Sequence, residues 1–238
     1  MNRISYVLLS DGSSDKMLMP VLDWLLHRQC PNYAIHSQWA DLRRLPHPPR
    51  ELMEKIRTTL KLYEADLLFI HRDAENQPFE SRKKEITVAL AGQTNPPAVC
   101  VIPVRMQEAW FLIDEKAIRK AASNPNGRMP LRLPAINTVE SLPDPKELLF
   151  SLIREASGLS ATRLKKRKPE KHAHLVSQFI DDFESLRKLM AFQALEVELT
   201  AVTQIKGWHN PTKNEERAGG VNNQGFTVPR LRSGAIEV

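Results

Sequence analysis

Cysteine is scarce in these 238 residues: Cys30 and Cys100 are the only two. Two thiols cannot build a disulfide framework or a four-thiolate zinc site. No apolar run approaches the roughly 18 residues of a membrane span. The amino terminus, Ile4 to Leu9, is apolar but short, and Asp11 and Asp15 follow at once. A secretory leader needs a longer apolar region and a small-residue cleavage site, so a cytoplasmic protein is expected. Three catalytic signatures are also missing: the Gly-x-x-x-x-Gly-Lys phosphate loop, the His-Glu-x-x-His zinc helix and the Gly-x-Ser-x-Gly elbow. Asp11-x-Ser13 begins like a metal-dependent adhesion motif, Asp-x-Ser-x-Ser, but Asp15 stands at its last position.

What is present is ordinary globular composition, 42% hydrophobic and 26% charged, which excludes a wholly disordered chain. The length suits one α/β domain with an appendage, or two small domains. Lys and Arg number 34 against 28 Asp and Glu, a formal charge of +6, and the isoelectric point is near 9.4. That sign favours encounter with polyanions such as nucleic acid.

Two hydrophobic periods alternate through the first half. Ile4 to Leu9, Ala34 to Trp39, Ala65 to Ile70 and Ala98 to Val104 read as strands. Lys16 to Arg28, Glu51 to Tyr63 and Glu80 to Leu90 read as helices, and another starts within Gln107 to Asp114. Four strand–helix alternations predict an α/β fold, a mostly parallel Rossmann-like sheet flanked by helices, over residues 1–122. Residues 123–206 form a loop-rich and helical addition expected to pack on that core. Ser123 to Pro145 carries five prolines, Lys146 to Ala156 reads as a helix, and His172 to Val202 has a long amphipathic pattern. Residues 207–238 show no sustained periodicity and read as a flexible tail.

In a parallel sheet the functional crevice lies outside the carboxyl ends of the strands. Asp11 and Asp15 follow the first predicted strand, Asp73 and Glu75 the third, and Glu108 comes four residues after Val104. Carboxylates converging there repel one another unless a cation sits among them, and hard oxygen donors select Mg²⁺ or Mn²⁺. Each acid alone also fits a plainer role, Asp11 as a turn residue or Asp15 as a first-turn acid. The joint pattern is what points to a metal. His71 could be a ligand, a general base or a proton relay, or only a polar strand end. Arg105 should emerge at the strand end beside Glu108, either to meet a phosphate or to form an internal salt bridge to the same acids. Lys165, Lys166, Arg167 and Lys168, in the basic run from Arg163, could meet a nucleic-acid backbone or lie on a solvated face. Trp110 reads as core.

Ser10-Asp11-Gly12-Ser13-Ser14-Asp15, followed later by Phe69-Ile70-His71-Arg72-Asp73-Ala74-Glu75, resembles a TOPRIM domain. That fold occurs in topoisomerases, bacterial primases and the nuclease halves of overcoming-lysogenization-defect (OLD) nucleases. Ile102 to Leu112 and Phe183 to Phe192 resemble a group of prokaryotic TOPRIM-like proteins with a proline-valine strand followed by Glu-Ala-Trp. The resemblance covers roughly residues 4–200. It implies a metal-dependent nuclease in which Asp11, Asp73 and Glu75 hold the cation, with Asp15 or Glu108 as a further ligand, and His71 or a carboxylate takes a proton from water. Asp11 stands where the family has Glu, and His71 where it has Asp. A catalytically weakened subunit that binds nucleic acid or docks on a partner is therefore the alternative. Work beside an ATPase of the OLD or SMC-like type in antiphage defence is a further implication, and an oligomer is compatible with it.

Overall fold

The structure is a computed structural model, and it describes residues 2–75, 77–92 and 95–209. Four strands, β1 (Asn2–Leu9), β2 (Tyr33–Ala40), β3 (Leu67–His71) and β4 (Ala98–Val101), form one sheet in the order β2-β1-β3-β4. Every pairing is parallel, with Ile4 beside Ile35, Leu8 beside both Trp39 and Phe69, and Ile70 beside Cys100. The predicted α/β class is the observed one. Helices α1 (Met19–Gln29), α2 (Leu52–Leu62) and α3 (Phe79–Leu90) make the crossovers, as parallel strands require.

Central strands β1 and β3 are apolar on both faces because helices cover both. Ile4, Tyr6, Leu8, Leu67 and Phe69 face a large core that also holds α1 and the C-terminal helices. Val7, Leu9, Leu68, Ile70 and Cys100 face a smaller one with Ile56 of α2 and Ile86 of α3. Tyr6 meets Phe69 edge-on and donates its hydroxyl to Asp23 at 2.9 Å. Both thiols are buried, and burial pushes Cys30 up to about 11 and Cys100 up to about 12. Neither thiol should react with a disulfide reagent at pH 8 in the native protein, and both should react once it is unfolded. Fast labelling of native protein would contradict this burial.

The regular part of β4 stops at Val101, short of the predicted Val104, where Pro103 brings no N–H to the ladder. Pairing nevertheless continues irregularly: the amides of Arg72, Ala74 and Glu75 donate to the carbonyls of Val101, Pro103 and Arg105. After Met106 the chain makes a 3-10 turn over Gln107–Phe111, and α4 (Glu115–Ala121) begins only after Asp114, whose carboxylate caps the Ala117 amide.

From Ser123 to Pro145 the chain is irregular apart from a 3-10 turn at Ile136–Ser141. Then follow α5 (Pro145–Ala156), α6 (Ala161–Arg167), α7 (Val176–Phe179) and α8 (Met190–Ile205). The amphipathic pattern from His172 to Val202 is broken into short pieces, with extended backbone at Ile180 and Leu189. Its apolar spacing recorded burial rather than one continuous helix. Phe183 and Phe192 reach Trp24, and Phe192 also meets Trp110 edge-on, so the C-terminal helices share the core of the sheet. Gly207, at φ 67°, ends α8, and Trp208 packs back on that core. The rest of the segment read as a tail, 210–238, lies outside the described residues.

Candidate active site at the carboxyl ends of β1 and β3

The chain leaves β1 toward β2 on one side and later places β3 on the other, so the strand order reverses between β1 and β3. A crevice opens at such a reversal. Here it is a cleft of about 330 Å³ lined by Asp11, Asp15, His71, Arg72, Asp73, Glu75 and Arg82, with Gly12 at its rim. Five of the acidic and histidine residues singled out in the sequence therefore come together.

Asp15 is buried. Its carboxylate accepts the Gly12 amide at 2.7 Å and the Gln107 side-chain amide at 2.8 Å. A side chain at position 12 would put its Cβ 2.7 Å from Asp15 Oδ1, which explains the glycine. Asp73 accepts the Gln107 backbone amide at 2.9 Å. Gln107 thus ties the acid after β1 to the acid after β3. Its own Oε1 is buried with no hydrogen-bond partner among the described residues.

His71 is buried at the end of β3, with Nδ1 2.9 Å from the Val101 carbonyl. A carbonyl only accepts, so Nδ1 carries a hydrogen and Nε2 faces Asp73 Oδ1 at 3.5 Å. The two groups are near neighbours at the end of β3. Burial, with the charges of Asp15 and Glu75, raises the Asp73 carboxyl above its ordinary value against the opposing effects of His71 and the Gln107 amide.

Asp11 is differently engaged. Lys55 Nζ lies 2.5 Å from it, and Arg72 binds its other oxygen. Burial works to raise this carboxyl, but the two cations outweigh it and hold it below the ordinary range. Arg72 also reaches Glu85 at 2.9 Å. Glu75, in left-handed backbone at φ 54°, is exposed and lies 3.6 Å from Arg82, which also donates to the Asp73 carbonyl.

Glu108 does not line this cleft. It is buried and opens on a neighbouring cavity, 3.9 Å from Lys146. Burial raises its carboxyl, with smaller contributions from the nearby charges of Asp73 and Asp15. Arg105 is likewise absent from the cleft lining, and its carbonyl is occupied by the Glu75 amide. Lys165, Lys166 and Arg167 lie exposed on α6, and Lys168 ends that helix in left-handed backbone at φ 44°. None of the four lines the cleft.

Lys55, Arg72, Arg82 and Gln107 were not singled out in the sequence. Arg72 and Gln107 stand directly beside motif residues, a signal that could have been used. Nothing in the spacing marks Lys55 or Arg82.

The donor chemistry on the strand ends fits a hard divalent cation: Asp15, Asp73 and Glu75 are oxygen donors whose charges oppose one another, beside the unpartnered oxygen of Gln107. Asp11 does not fit while Lys55 and Arg72 neutralise it. Among the described residues no three His, Cys, Asp or Glu side chains converge on one point. The fold and cleft define a class, a parallel α/β protein with an acidic crevice at its topological switch point. Comparison with family models, curated proteins and solved structures gave no match. Among the described residues no helix is long and apolar enough to cross a membrane.

Proposed function

We propose that this chain is a divalent-cation-dependent hydrolase of phosphodiester bonds in nucleic acid. The observation that carries the reading is the cleft at the β1/β3 switch point, where carboxylates, a histidine–aspartate pair and two arginines meet. Asp15 and Asp73, with Glu75, would hold Mg²⁺ or Mn²⁺. Such a cation neutralises charge on a phosphoryl oxygen and eases ionisation of a bound water. The His71–Asp73 pair accepts the proton of the attacking water, since Nε2 is the ring nitrogen left facing the cleft. Arg72 and Arg82, both on the cleft wall, would meet phosphate oxygens in exchange for their carboxylate partners. Asp11 acts here as a positioning residue that pairs with Lys55 and holds Arg72 on the cleft wall, rather than as a ligand.

A second reading has its own support. The neutralised Asp11 and the lack of three converging ligands among the described residues favour a weakened site on a subunit that binds nucleic acid or an ATPase without cutting. The ATPase partner and a role in antiphage defence rest on the TOPRIM resemblance alone. Plasmid, linear duplex, single-stranded DNA and RNA, each offered with Mg²⁺, Mn²⁺ or EDTA, separate the two readings. Cleavage that needs the metal and is lost in Asp73→Ala supports the hydrolase. Binding of the same substrates without cleavage by the wild type supports the second reading.

A further inference from the structure

A second cavity, about 380 Å³, lies across the Gly12–Asp15 turn from the acidic cleft. Ser13 and Ser14 of that turn, Lys146 and Phe150 of α5, Glu108, and Glu170, Lys171 and His174 of the 3-10 segment Pro169–Leu175 line it. Its volume falls in the range of small-ligand pockets, about 300–1,000 Å³.

The chemistry of the walls is mixed in a particular way. Lys146 and Lys171 supply cationic ends, and His174 sits one turn from Lys171. Lys171 makes no ion pair among the described residues. Ser13 and Ser14 add hydroxyls. Opposite them are two carboxylates: Glu108 is 3% exposed, with Lys146 its nearest cation at 3.9 Å, and Glu170 has an Oε2 that is buried with no hydrogen-bond partner among the described residues. Phe150 offers a half-buried ring, over which Lys146 already lies, 6.0 Å from its centroid.

A bare phosphate would use the lysines and hydroxyls but leave the carboxylates unpaired. A divalent metal would use the carboxylates but not the lysines. One nucleotide uses both sets: phosphate oxygens for Lys146, Lys171 and Ser14, amino or hydroxyl hydrogens for Glu108 and Glu170, and a base for the face of Phe150. We infer that this cavity is a nucleotide subsite that seats a residue of the substrate strand beside the one cut in the acidic cleft. The inference rests on the hydrolase reading for its substrate. The basic helix α6 ends at Lys168, immediately before the 3-10 segment that bears Lys171 and His174.

The test is the affinity of the full chain, in EDTA, for labelled single-stranded and duplex oligonucleotides over a range of salt. Lys171→Glu should weaken binding of the preferred form about tenfold and lower the slope of log affinity against log salt by about 1. Phe150→Leu should weaken binding with the slope unchanged. Lys61→Glu, an equal charge change at the far end of α2, should cost less than twofold. If Lys61→Glu and Lys171→Glu cost the same, only net charge is being read and the subsite is overturned, whatever the wild type cleaves. A free nucleoside monophosphate, offered separately, distinguishes the source of the nucleotide. If it binds, and Lys171→Glu abolishes that binding, while no oligonucleotide binds, the cavity takes a free nucleotide and the strand subsite is overturned, leaving the hydrolase reading to the cleavage assay. If the wild type binds neither probe, the subsite is overturned.

Discussion

Asp73→Asn is expected to abolish metal-dependent cleavage and, in the same protein, to raise its melting temperature near pH 7. Loss of the proton-accepting pair and of one ligand should lower the rate about 10²–10⁴-fold, the usual worth of a positioned acid–base group. The stability gain comes from the sign of the Asp73 shift. Its folded carboxyl is raised, chiefly by burial, so the folded state holds the proton more tightly than the unfolded state does. As pH rises past the ordinary carboxyl value, the unfolded chain releases its proton first and stability falls until the folded group has ionised too. Asparagine is exempt from that loss, and its Oδ1 can still accept the Gln107 amide. The gap between variant and wild type should open as pH rises through this window and close as pH falls below it. Thermal unfolding in EDTA from pH 3 to 8, beside a cleavage assay, measures both effects. An Asn variant that cleaves like wild type removes Asp73 from the chemistry. One that is less stable at every pH removes the burial argument.

Trp110→Ala should cost about 3–5 kcal/mol, the range for emptying a buried large aromatic site. Trp110 is fully buried, and its ring meets Phe192 of α8 at 5.5 Å and 81°. That contact joins the 3-10 segment bearing Gln107 and Glu108 to the C-terminal helices. Against a total of about 5–15 kcal/mol for a typical domain, the loss is large, and the midpoint should fall by roughly 6–20 °C. Because one core cluster runs from Ile4 and Phe69 through Trp110 to Phe192 and Leu199, the fall should appear as a single shifted transition. Trp110→Phe should cost less, since it keeps the ring contact and loses an indole N–H that has no partner among the described residues. Two separate transitions in Trp110→Ala, the second at the wild-type temperature, would falsify a shared core.

Much of the fold was legible in the sequence. Strands buried on both faces must be written as short continuous apolar runs, and Ile4–Leu9 and Leu67–Ile70 are such runs between turn residues. The placement of Asp11, Asp15, Asp73 and Glu75 at one end of the sheet followed from parallel strands delivering their carboxyl ends to the same edge. The boundaries were less legible. Val104 continues the apolar run of β4, yet the ladder turns irregular at Pro103, and the helix expected from Gln107 starts regular geometry only at Glu115. The pattern from His172 to Val202 stayed amphipathic while the backbone broke at Ile180 and Leu189, because helical spacing reports which side chains are buried and not whether the helix between them is unbroken.

The sequence by itself therefore determined the parallel α/β sheet and the edge at which its acids gather, since both follow from residue order along single strands and the turns after them. Only the tertiary structure decided which charges meet. Lys55 and Arg72 reach Asp11 from 44 and 61 residues away, and Gln107 reaches Asp15 from 92. No local period encodes such encounters. They depend on how α2, β3 and the turn after β4 pack around β1, and that packing pairs Asp11 with two cations and places Glu108 on the neighbouring cavity.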